Sequence, residues 1–132
     1  MAKLTIESII AKKEELRAQA GEQTCLITCK KLDGEFEAHS LSKGDLADVR
    51  SKMKDDYLEG TKYLIFMSID DLRITELLEA FECKTNSIRI VERLFPYENE
   101  VAAVAEISMD LNGIGQLKPG QIFRKEIEDL KN

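Results

Sequence analysis

Apolar side chains recur at helical spacing early in the chain, where Ile6, Ile9, Ile10, Leu16 and Ala20 fall on one side of a helix predicted over residues 5–20. Gly21 ends it. The spacing then changes to alternation: Cys25, Ile27 and Cys29, followed by Phe36 and Ala38, line one face of two strands flanking Asp33-Gly34. That pair favours a two-residue type I′ turn, which predicts a hairpin over residues 24–41. In its register Leu32 opposes Glu35, Lys30 opposes Glu37, Cys29 opposes Ala38 and Thr28 opposes His39. The other face carries Thr28, Lys30, Glu35, Glu37 and His39. A lone hairpin is marginal in water, so helices or a partner's strand must cover its apolar face.

Helical patterns fill the rest. Ser42 is a cap and Asp45 a first-turn acid for a helix whose stripe is Leu46, Val49, Met53 and Tyr57, with Gly60 expected to close it. A second start at Thr61 leads into an apolar run over residues 62–69, read as helix. A short helix is clearest at residues 75–81, and Thr85 to Ser87 supply caps for another through Ile88, Val91, Leu94 and Phe95. After Pro96 comes the best-marked helix: Glu98 and Glu100 place negative charge in its first turn, and Asn112-Gly113 offers a left-handed stop. Val101, Val104, Ala105, Ile107, Ser108 and Leu111 share its inner side, while Glu106 and Asp110 point away. A last helix is expected within residues 120–131, with Ile122, Phe123, Ile127 and Leu130 apolar. These elements predict an α+β fold: a mostly helical single domain over residues 1–132, with an N-terminal helix and one antiparallel hairpin packed on a helical core at residues 43–113.

At 132 residues and 43% hydrophobic, the chain is long enough for one core. It holds no run of about 18 apolar residues, so no membrane span is expected. Met1-Ala2-Lys3-Leu4 leads into charged sequence without a signal-peptide apolar region, which points to the cytoplasm. The net charge is −6, and residues 55–112 hold 13 acidic side chains against 5 basic ones. Such a segment repels a phosphate backbone, so nucleic acid is not an expected partner.

The chemical inventory is thin. His39 is the one histidine, and a Cys-His pair would have to join it to one of three cysteines. Thr28 opposes His39 in the expected register, with Cys29 on the other face. Cys25 and Cys29 share a face but stand about 13 Å apart along a strand, too far for a disulfide. With Cys83, they read as small apolar residues in a reducing compartment. Asp55-Asp56, Asp70-Asp71 and Glu98-Asn99-Glu100 lack the spacing of a calcium loop, and helix dipoles account for acids at those positions. Gly113-Ile114-Gly115 lacks the lysine and hydroxyl of a phosphate loop. Neither a cofactor, a metal nor catalysis is expected.

The order of elements carries a resemblance. The hairpin with Asp33-Gly34, the Leu41-Ser42 step into a helix with Asp45 and Arg50, Leu64-Ile65, Leu77-Leu78-Glu79-Ala80-Phe81, and Val91-Glu92-Arg93-Leu94-Phe95-Pro96-Tyr97-Glu98 leading to Leu111-Asn112-Gly113 together resemble the XkdN-like tail assembly chaperones of prophages in Gram-positive bacteria. The likeness spans about residues 24–113. Where that family often has glycine then glutamate after the proline, this chain has Tyr97-Glu98, so only the acid carries over.

The resemblance implies a non-structural phage protein in the bacterial host cytoplasm, absent from the finished virion. It would escort the tape measure protein while the tail tube polymerises, with the tail tube protein a second candidate partner and a homo-oligomer compatible with the task. Covering the apolar stripes of a long helical client prevents its aggregation. Large anchors dominate such contacts, which makes Phe95, Tyr97, Ile122 and Phe123 the candidate binding residues; the competing expectation is that they fill the core. Two other readings stand beside this one. A structural or adaptor subunit of a phage particle would bind by strand addition at the hairpin edge, against which Lys30, Lys31, Glu35 and Glu37 weigh. A small enzyme would need a site built from His39 and a carboxylate.

Overall fold

The computed structural model describes residues 3–127. Within them the alternating pattern becomes a two-stranded antiparallel sheet, β1 (Thr24–Cys29) and β2 (Gly34–His39). The helical patterns become α1 (Ile6–Ala11), α2 (Lys13–Ala20), α3 (Lys43–Asp55), α4 (Tyr57–Ser68), α5 (Thr75–Ala80), α6 (Arg89–Leu94) and α7 (Glu98–Leu111). The architecture is the expected α+β arrangement, with one sheet face laid on a helical core.

The hairpin keeps its predicted faces and loses its predicted register. Thr24 pairs with His39, Ile27 with Phe36, Thr28 with Glu35 and Cys29 with Gly34. Lys30–Leu32 forms a 3₁₀ turn instead of continuing the strand, and Asp33 alone takes the left-handed conformation at φ 55°. A type I′ turn needs positive φ at both central residues, and Gly34 is already in the strand. The loop is therefore four residues long, and the pairing shifts by an even number of positions. An even shift leaves each side chain on its own face: Ile27 and Ala38 are buried, and Cys25, Cys29 and Phe36 pack against the same core.

Gly60 does not close a helix. Asp56 breaks the chain there by adopting an extended backbone, and its Oδ1 accepts the Glu59 N–H at 3.2 Å to begin α4. Gly60 lies inside α4, buried, because α3 passes so close that a Cβ would sit 2.4 Å from the Met53 amide nitrogen. The other end of α4 is capped from a distance: Arg73, in the 3₁₀ turn Asp70–Arg73, donates from Nη1 to the Phe66 and Met67 carbonyls at 2.7 and 3.0 Å. Ile65, Ile69, Leu72, Ile90 and Val91 are fully buried at the centre, joined by Val101, Val104 and Ala105 from α7. Helix α6 starts without the expected side-chain cap, since the Asn86 and Ser87 backbone carbonyls take up the Arg89 and Ile90 N–H groups.

Both ends of α7 follow from sequence. Pro96 lies just outside, Tyr97 is the cap residue, and the Glu100 carboxylate accepts the Tyr97 N–H at 3.3 Å. At the far end Gly113 has φ 67°, and the Gly113 and Ile114 N–H groups bond the Asp110 and Met109 carbonyls at 3.1 and 3.0 Å, a Schellman closure. Asn112 Oδ1 also accepts the Leu41 N–H at 2.7 Å, tying α7 to the segment after the hairpin.

The two chain ends differ most from expectation. The predicted helix over residues 5–20 is split at Lys12, and every described residue of α1 and α2 is exposed, so its apolar stripe faces no core. Residues 121–126 form no helix, and the remainder of the expected C-terminal helix, from residue 128, lies outside the described residues. Ile122 and Phe123 are mostly exposed, and a helix of about ten residues without tertiary packing is marginal in water. No helix among the described residues is long and apolar enough to cross a membrane.

Candidate functional site

His39 ends β2 and reaches across to the 3₁₀ turn. Its Nδ1 faces the Ser40 carbonyl at 2.9 Å and its Nε2 the Asp70 carboxylate at 2.7 Å, with Glu22 3.5 Å from Nδ1. Two acceptors on two ring nitrogens favour the imidazolium. The Ser40 carbonyl raises the His39 pKa above its ordinary value against the opposing effect of burial, and Asp70 adds to the rise. The His39 hydrogen bond in turn lowers Asp70, which also binds Arg73. Both ring nitrogens are thus held in contacts that fix the ring's orientation. The group joins β2, the 3₁₀ turn and the end of α4. Sequence reading placed Asp70-Asp71 as dipole acids and missed this link, because nothing local pairs residue 39 with residue 70.

Cys25 neighbours the residue opposite His39, but strand alternation keeps the thiol on the core face. All three cysteines are free, and Cys83 is buried. Among the described residues, no group of three or more His, Cys, Asp or Glu is placed to hold a metal ion. A buried charge occurs at Lys62, whose Nζ lies 2.7 Å from Glu92 and 3.5 Å from Glu59. Burial works to lower its pKa, but the Glu92 bond and the two carboxylate charges outweigh it and the net change is upward. This pair links α4 to α6.

Of the four expected contact residues, Phe95 is corrected: it is 3% exposed, sits in the core, and meets Phe36 edge-on with ring centroids 6.3 Å apart. Phe95 follows α6 directly and continues its apolar stripe, so it fills the core, which was the competing expectation. Tyr97 at 69%, Ile122 at 82% and Phe123 at 68% are open to solvent. Lys31, expected to guard the hairpin edge, instead pairs with Glu100 at 2.9 Å and lies over the Phe95 ring.

Two apolar features went unassigned from sequence. A groove of about 740 Å³ runs along α4 and α7, walled by Tyr57, Leu58, Ala102 and Met109, floored by Val101 and Ala105, and closed by Ile114 after the Schellman turn. Glu98 and Glu106 stand on its rim. The second feature is the stripe on α1 and α2, where Ile9, Ile10 and Leu16 run beside Lys13 and Arg17. Periodicity shows an apolar stripe, but cannot show whether the body of the same chain covers it.

The fold is that of a small α+β protein with exposed apolar side chains on its surface. Searches of protein-family models, curated proteins and solved structures find no match to the chain.

Proposed function

We propose that this chain is a tail assembly chaperone of the XkdN-like kind, which binds the phage tape measure protein by apolar contact during tail assembly and carries out no reaction. The observation that carries the reading is the C-terminal segment, where Ile122, Phe123 and Ile127 are 82, 68 and 71% exposed. Their spacing is helical, yet residues 121–126 are not helix. A segment with helical pattern and exposed apolar side chains is suited to fold when a client's apolar stripe covers it, with ordering and binding occurring together. Tyr97, exposed at the start of α7, offers a rigid aromatic anchor elsewhere on the surface.

Co-expression with the tape measure protein of the same prophage tests it. The wild-type chain should co-purify with the tape measure protein, and Phe123→Asp should reduce recovery by about tenfold, the loss of one anchor. Tyr97→Ala should weaken recovery less. Mass spectrometry of finished particles should find the tape measure protein and not this chain. Equal recovery by a folded Phe123→Asp protein, or stoichiometric presence in particles, overturns the proposal.

A further inference from the structure

We infer that a second copy of this chain fills the groove between α4 and α7 with its own α1–α2 segment. The groove has an apolar floor of Val101 and Ala105 and an acidic rim at Glu98 and Glu106, neither of which has an ion-pair partner among the described residues. The stripe on α1 and α2 is its complement: Ile9, Ile10 and Leu16 in line, flanked by Lys13, which is also without an ion-pair partner there, and by Arg17, held only by an exposed contact to Glu14 at 3.7 Å. Apolar faces apolar and base faces acid, as in helix-in-groove recognition.

The segment does not reach its own groove in this structure. Gln23 Nε2 donates to the Ala18 and Gly21 carbonyls at 3.0 Å each, and its N–H bonds Ser40 Oγ at 2.8 Å, so the turn after α2 is fastened beside the end of β2. That turn leaves every described residue of α1 and α2 exposed. Reciprocal exchange between two copies buries both stripes and both grooves in a closed twofold assembly, with no open surface for further growth. The inference stands apart from the client reading, since it concerns the purified chain alone and a different surface from residues 117–127.

Light scattering after size exclusion, over a concentration series, tests it. The wild-type chain should be a dimer that dissociates on dilution. Ile9→Asp, on the helix, and Ala102→Arg, on the exposed groove wall, should each weaken dimerisation by about tenfold or more. Circular dichroism confirms that each variant is folded. Mixing the two variants should restore heterodimer, because one intact segment then meets one intact groove. Glu98→Lys with Glu106→Lys should weaken the dimer, and Lys13→Glu with Arg17→Glu should recover it when combined. A monomeric wild-type chain overturns the inference, as does a dimer that Ile9→Asp disrupts and Ala102→Arg leaves intact, which would mean that the N-terminal helices pair with each other.

Discussion

Two single residues hold more of this fold than their side chains suggest. Gly60 permits the close contact of α3 and α4, with a Cβ position only 2.4 Å from the Met53 nitrogen, a backbone atom that cannot swing aside. Gly60→Ala should therefore cost about 3 kcal/mol, the upper end of overpacking penalties, measured by urea unfolding. An unchanged midpoint would mean that the helices do not approach this closely. His39 is the second. Its native pKa is raised, so it binds a proton more tightly folded than unfolded, and its contribution is full below the unfolded value of about 6.5 and fades as pH rises through the higher native value. Stability of the wild-type chain should fall as pH rises above about 6.5, and His39→Gln should remove that component. Thermal melts across this range measure it; parallel curves for the two proteins would contradict the Asp70 and Ser40 contacts.

Element boundaries were legible wherever one residue has one physical option. Ser42 accepts the Asp45 N–H at 3.2 Å as its cap position requires, and Gly113 takes the left-handed stop that ends α7. No atom lies within 4 Å of a Cβ built on Gly113, so the cost of Gly113→Ala is conformational alone. It should be about 1 kcal/mol, and Gly113→Asn should cost less, because asparagine tolerates positive φ. Equal losses for the two would show that something other than backbone angle is decisive there. Boundaries failed where two options compete. Asp33-Gly34 suits a two-residue turn, but Lys30–Leu32 closes a 3₁₀ turn with the Asp33 N–H on the Lys30 carbonyl at 3.0 Å, and the longer loop wins. Gly60 reads as a stop or as a contact point, and only the neighbouring helix decides.

Across the whole molecule, stability and exposed apolar surface are separated. The centre, from Ile65 to Val104, is close-packed, while residues 4–20 and 117–127 carry nine of the 17 large exposed apolar side chains among the described residues. Sequence could mark these ends as amphipathic, yet burial is a property of the assembled chain, which is why the candidate Phe95 turned inward and Ile122 and Phe123 did not. Amide exchange should divide the same way: slow at residues 64–69 and 90–94, fast at 6–20 and 117–127.

On the proposed function, the exposed apolar segment at residues 117–127 is where the client polypeptide is covered. Hydrogen exchange on the complex co-purified with the tape measure protein, compared with the chain alone, tests this most directly. Protection should appear across residues 117–127 on binding, with the core unchanged. A complex that forms while residues 117–127 exchange as fast as in the free chain would contradict it.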